Sequence, residues 1–97
     1  MNPDIRLTLR FLSPAEGGRS AAVEGQHYHC PLFVDGQGFD CRLLLDGKKL
    51  ELGIEYEVPV KFLFPELALP KLEVGKEVSL WEGRTVAHGV VVNVSKS

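Results

Sequence analysis

The side chains best suited to chemistry near neutral pH in this 97-residue chain are three histidines and two cysteines. His27 and His29 lie two apart in a strand-like run, so both rings project from one face. Such a pair can supply two ligands to a metal such as zinc. The sequence places no third ligand, because Cys30 points to the opposite face and His88 is remote along the chain. The alternative is two polar side chains on a solvated strand face, with Tyr28 packed inward. His88 sits among valines and reads as a histidine at the edge of the core with one nitrogen satisfied, with no Ser or Cys set nearby as a nucleophile. Gly47-Lys48-Lys49 and Gly75-Lys76-Glu77 lack the upstream glycine and the following Ser or Thr that cradle phosphates and magnesium. The expectation is a protein that is not an enzyme and uses no cofactor and no metal.

Cys30 and Cys41 flank Asp35-Gly36, a strong hairpin signal. A two-residue turn there pairs Val34 with Gln37 and, counting outward, Cys30 with Cys41, with Cα atoms about 5.5 Å apart and within disulfide range. Two outcomes stand open, a disulfide or two free thiols on one face of the hairpin. A wider loop from Asp35 to Gly38 would break the register and the pair together. Met1 to Arg6 has neither a basic n-region nor an apolar h-region, so no signal peptide is expected and the cytoplasm is the expected compartment. Free cysteines there behave as small buried hydrophobes.

Two stretches suggest a binding surface. Phe64-Pro65-Glu66-Leu67-Ala68-Leu69-Pro70 holds large apolar residues in a loop, where the surface is normally polar, and its prolines limit the entropy lost on binding. Leu67 and Leu69 either plug one end of the fold or contact a protein partner. Leu63 belongs to the same question, and so does Trp81, which is out of phase with Val78 and Leu80 and of a type favoured at interface hot spots. The second stretch is Arg6, Thr8 and Arg10, an outward stripe whose arginines stand about 6.8 Å apart, near the step along a phosphate backbone. With Arg19 it forms the alternative, a surface for RNA or tRNA, against a charged solvent face that blunts a sheet edge.

The elements that must position these residues are short strands. Ile5, Leu7, Leu9 and Phe11 alternate with Arg6, Thr8 and Arg10. His27 to Val34 reads as a strand that Pro31 demotes towards an edge or a bulge. Phe39 to Leu45 follows and ends at Asp46-Gly47. Tyr56, Val58, Val60, Phe62 and Phe64 line one face of the next run, with Glu57, Pro59, Lys61 and Leu63 on the other. Glu77 to Trp81 and Thr85 to Val94 complete about six strands with no convincing helix, the pattern of a small barrel or sandwich. Gly89 inside the last strand marks a bulge or a close backbone approach. At this length the chain is expected to be one domain, residues 1–97, burying roughly two-thirds of its unfolded surface. Its net charge of −2 and 44% apolar content imply no general attraction to nucleic acid or acidic membrane. No run of about 18 apolar residues suggests a membrane span.

Turn residues at the two ends add a resemblance. Leu12-Ser13-Pro14-Ala15-Glu16-Gly17-Gly18-Arg19 resembles the opening of the C-terminal β-barrel domain (domain 3) of elongation factor Tu. Glu82-Gly83-Arg84-Thr85-Val86-Ala87-His88-Gly89-Val90-Val91-Val92-Asn93-Val94 is similar to that domain's last hairpin, where the family usually has a second glycine before the arginine. Gly53, the strand to Phe64, Pro65 and Gly75 fall where the family keeps its turn and loop. The resemblance covers nearly the whole chain and implies an all-β, six-stranded antiparallel closed barrel, here expected to stand alone. The family's GTP-binding domain and middle barrel have no counterpart in the sequence. The stretch matching the family's basic tRNA-binding region, Gly25 to Gly38, contains no Arg or Lys, so that role is not expected to carry over. The expected function is a non-enzymatic protein-binding module using Leu63, Leu67, Leu69 and Trp81. An unidentified protein is the expected partner, nucleic acid through Arg6, Arg10 and Arg19 the alternative, and an exposed edge strand a route to a homodimer.

Overall fold

In the computed structural model, which describes residues 2–95, the first alternation forms strand β1 (Ile5–Phe11), with Ile5, Leu7, Leu9 and Phe11 buried and Arg6 exposed. Five more strands follow: β2 (His27–Val34), β3 (Gln37–Leu44), β4 (Glu55–Phe62), β5 (Glu77–Trp81) and β6 (Thr85–Val94). They close into a six-stranded barrel in the order β1-β4-β3-β2-β5-β6, with every neighbouring pair antiparallel. The inward residues of all six strands meet in a single core, and no buried side-chain polar atom lacks a partner among the described residues. Closure corrects one expectation: β1 is paired on both sides, to β4 and β6, so Arg6, Thr8 and Arg10 do not guard a sheet edge.

The β2–β3 hairpin turns on Asp35 and Gly36, with φ of 50° and 79°. Both values are positive, as a two-residue turn matched to strand twist requires, and Asp and Gly tolerate them. β3 therefore starts at Gln37 rather than Phe39, and Cys30 stands opposite Cys41. Pro31 has a distinct effect. Counting outward from the turn, Pro31 and Asp40 form a pair without mutual hydrogen bonds, so the proline's missing N–H lies on the side of β5. There the β2–β5 ladder consists of Leu32↔Leu80 and Phe33↔Ser79 and stops before Pro31.

Gly89 is a close approach rather than a bulge. A Cβ on it would lie 2.5 Å from the carbonyl oxygen of Thr8 on β1. The irregularities in β6 fall at Val92, since Arg6 pairs with Asn93 and Leu7 with Val91, and at Val86, since Leu80 pairs with Ala87 and Trp81 with Thr85.

The connection from β4 to β5 also departs from expectation. β4 ends at Phe62, Pro65–Ala68 form one turn of helix (α1), and Leu69–Lys71 continue it as a tighter turn. Proline suits the first position of a helix because the N–H it lacks has no intrahelical partner there. It also biases Phe64 to an extended backbone, and Phe64 sits at φ −126°. The chain swings away from the barrel at this point, so Phe64 is 53% exposed instead of continuing the inward row of Val58, Val60 and Phe62. No helix among the described residues is long and apolar enough to cross a membrane.

Candidate functional site

The turn after β4 separates the leucines that the sequence groups together. The N–H groups of Leu67 and Ala68 both donate to the Phe64 carbonyl, at 3.0 and 3.3 Å, and hold the helical turn closed. Ala68 is fully buried and Leu69 is half-buried against the core, so these two residues anchor the turn. Leu63 and Leu67 point away, each 60% exposed, and with Phe64 they make an apolar cluster on the surface. Of the two roles open to the loop leucines, Leu69 takes the plug and Leu67 faces outward. Phe64 joins the cluster from a position that strand alternation assigns to the interior.

Leu63 is tied to β3 through its N–H, which donates to the Asp40 carbonyl at 3.0 Å. Asp40 pairs with Pro31 on β2, and extending the β2–β5 register by one residue sets Trp81 beside Pro31. Leu63 and Trp81 thus mark the two ends of one outward row three strand spacings long, roughly 14 Å along the surface. Trp81 is 44% exposed and stands edge-on to Phe33, with ring centroids 6.4 Å apart. Between the ends lies a groove of about 550 Å³ lined by His29, Pro31, Asp40, Arg42, Lys61 and Leu63. The Lys61 ammonium is held by Asp4 at 3.1 Å, and the same carboxylate accepts the Phe62 N–H at 2.8 Å.

The three arginines of the alternative surface each meet a carboxylate. Arg6 lies 3.6 Å from Glu57. Arg10 makes a two-pronged contact with Glu16, at 3.0 and 3.1 Å. That guanidinium, helped by the Ser13 N–H, lowers the Glu16 carboxyl to about 2. Arg19 contacts Glu82 at 2.5 Å and lies over the Tyr28 ring, 5.3 Å from its centre. This last clasp joins the turn at Glu16-Gly17-Gly18-Arg19 to the turn at Glu82-Gly83. Its partners are 63 residues apart, so local sequence gives no sign of it.

The remaining candidates stay apart. The His27 and His29 rings are 6.2 Å centre to centre on one exposed face, and no group of three or more metal-ligating side chains forms among the described residues. His88 is exposed and faces outward between Arg10 and Ser79, which corrects its reading as a core-edge residue. The thiols of Cys30 and Cys41 are free and buried. No family model matches the chain, and no curated protein matches it.

Proposed function

We propose that this barrel is a non-enzymatic protein-binding module, built like the C-terminal barrel of elongation factor Tu, which docks through the face running from Leu63, Phe64 and Leu67 to Trp81. The observation that carries this reading is the exposed apolar cluster at Leu63, Phe64 and Leu67, held on a turn whose backbone is closed by hydrogen bonds and whose next two residues are anchored in the core. A rigid loop loses little entropy on binding, and solvent-exposed leucine and phenylalanine gain most from being covered.

Magnitudes set the extent of the surface. Covering what is exposed of Leu63, Phe64 and Leu67 contributes about 3–5 kcal/mol in sum. Association costs roughly 4–15 kcal/mol in lost translational and rotational freedom. The cluster alone is therefore too small, and the interface must extend across the groove to Trp81 and Phe33. Exposed Asp40 and Glu66 flank the cluster while Arg42 and Lys61 line the groove, so the matching partner surface is apolar with charges of both signs around it.

The test is capture of the partner from nuclease-treated lysate at high salt, with wild-type protein and Leu63→Asp/Leu67→Asp side by side. The reading expects one stoichiometric protein held by the wild type and lost by the variant, with thermal midpoints within a few degrees. Equal capture by both proteins, or binding that disappears with nuclease, would overturn it.

A further inference from the structure

His27 and His29 stand two apart on β2, both exposed, with ring centres 6.2 Å apart and ring planes inclined at 33°. Side chains so placed leave the same strand face from Cα atoms about 6.8 Å apart. The backbone holds that spacing. β2 is laddered to β3 along its whole length, from His27↔Leu44 to Val34↔Gln37. Just before it, the Gln26 carbonyl accepts the N–H groups of Leu45 and Asp46, at 2.9 and 3.2 Å. We propose that His27 and His29 form a two-histidine chelate for a divalent transition-metal ion of the zinc or copper kind, bound reversibly at one ion per chain.

The ring spacing suits such an ion. A metal held about 2.0–2.1 Å from one nitrogen of each ring sits about 3.2 Å from both ring centres, which at a tetrahedral angle brings those centres to about 5.2 Å. The gap to the observed 6.2 Å is about 1 Å. Turning each exposed ring about its terminal torsion, which is broad for histidine, closes it. Imidazole nitrogen suits zinc, copper and nickel, and copper stands highest in the order of affinities. Two protein ligands fall short of the four that make a structural zinc site. The ion therefore exchanges with solvent, and water fills its remaining positions.

The charges around the pair are of both signs. Arg42 stands opposite His29 on β3, and Asp40 lies diagonal to it. On the other side His27 shares a hollow with Asp46 and Arg6, and Arg6 lies 3.6 Å from Glu57. No third ligand joins the two rings among the described residues. The affinity thus rests on the two imidazoles acting together. Once one ring holds the ion, the other meets it at high effective concentration, because the strand has already fixed its position. Losing either ring should then weaken binding by about tenfold or more.

The full chain is titrated with zinc in a calorimeter, in a buffer that does not bind metal, with imidazole proton spectra recorded in parallel. Zinc is the probe because it has no redox chemistry and leaves the thiols of Cys30 and Cys41 unoxidised. Wild-type protein should take up one ion per chain, with the ring signals of His27 and His29 shifting together and returning when a chelator is added. His27→Ala and His29→Ala should each bind about tenfold or more weakly, and the double variant should bind none. His88→Ala, whose ring lies between Arg10 and Ser79 on the barrel wall, should bind as wild type does. All four variants change exposed residues, and their amide spectra check that they fold. Zinc retained by the double variant would overturn the proposal. So would single variants that bind as tightly as wild type, an ion shared between two chains, or ring signals that stay in place in excess zinc.

Discussion

Replacing Gly89 with alanine adds a methyl group where β6 crosses closest to β1. Its Cβ would stand 2.5 Å from the Thr8 carbonyl oxygen and 3.1 Å from a Leu9 methyl. The first contact is with backbone, so no side-chain rotation relieves it, and reaching an ordinary separation of about 3.4 Å requires the strands to part by roughly 0.9 Å. A gap of that size forfeits a quarter to a half of the dispersion energy across it, and the side chains concerned include the fully buried Leu7 and the nearly buried Leu9. Together with the usual range for overpacking, this gives a loss of about 2–3 kcal/mol. For a domain of this size the thermal midpoint should fall by roughly 10–20 °C. Gly53→Ala is the control. Gly53 has φ +80° and nothing within 4 Å of the added atom, so its cost is backbone conformation alone, about 1–2 kcal/mol. Calorimetry or chemical denaturation of the three proteins measures the difference. A Gly89→Ala protein within about 0.5 kcal/mol of wild type, or less affected than Gly53→Ala, would refute the close-approach argument.

Two further outcomes follow from the ion pairs and the helical turn. Glu16 has its folded pKa depressed to about 2, so the stability it contributes is fully present above its unfolded value and is lost as pH falls from the ordinary carboxylate range towards 2. Glu16→Gln should therefore flatten the thermal midpoint against pH over that acid window, and profiles that stay parallel there would count against the Arg10–Glu16 contact. Leu69→Asp should lower the midpoint by several degrees, because it buries a carboxylate against the core, while Leu67→Asp stays within about 0.5 kcal/mol of wild type; equal losses in a melting assay would remove the division between plug and outward residue.

The barrel was legible in the sequence because period-2 alternation reports which side of a strand is buried. Ile5 to Phe11 and Val58 to Phe62 fall as that pattern requires, and Asp35-Gly36 fixes the β2–β3 register down to the cysteine pair. Alternation says nothing of which strands are neighbours, so β1 read as an edge although closure sets it between β4 and β6. It also gives no warning of where a strand ends. Phe64 continues the apolar series, yet the proline after it turns the chain and exposes the ring. The candidate site was half visible. Leu63 is outward as its strand alternation requires, Leu67 takes one of the two roles the sequence leaves open and Trp81 is exposed, whereas the core contact of Leu69 and the arginine–carboxylate pairs depend on partners that only the folded chain brings near.

The order of the strands also governs how the chain comes to fold. The first strand is zipped to the last, from Ile5↔Val94 to Phe11↔Ala87. About eighty residues of synthesis separate the start of β1 from the start of β6, roughly 4–16 s at ribosomal speed. Throughout that interval the β6 side of β1 has no strand to pair with, and its four large apolar side chains lack part of their cover. Pairing across such a span is slow even in a released chain. The barrel can therefore close only after β6 has been made, and until then β1 leaves apolar surface uncovered of the kind that promotes aggregation.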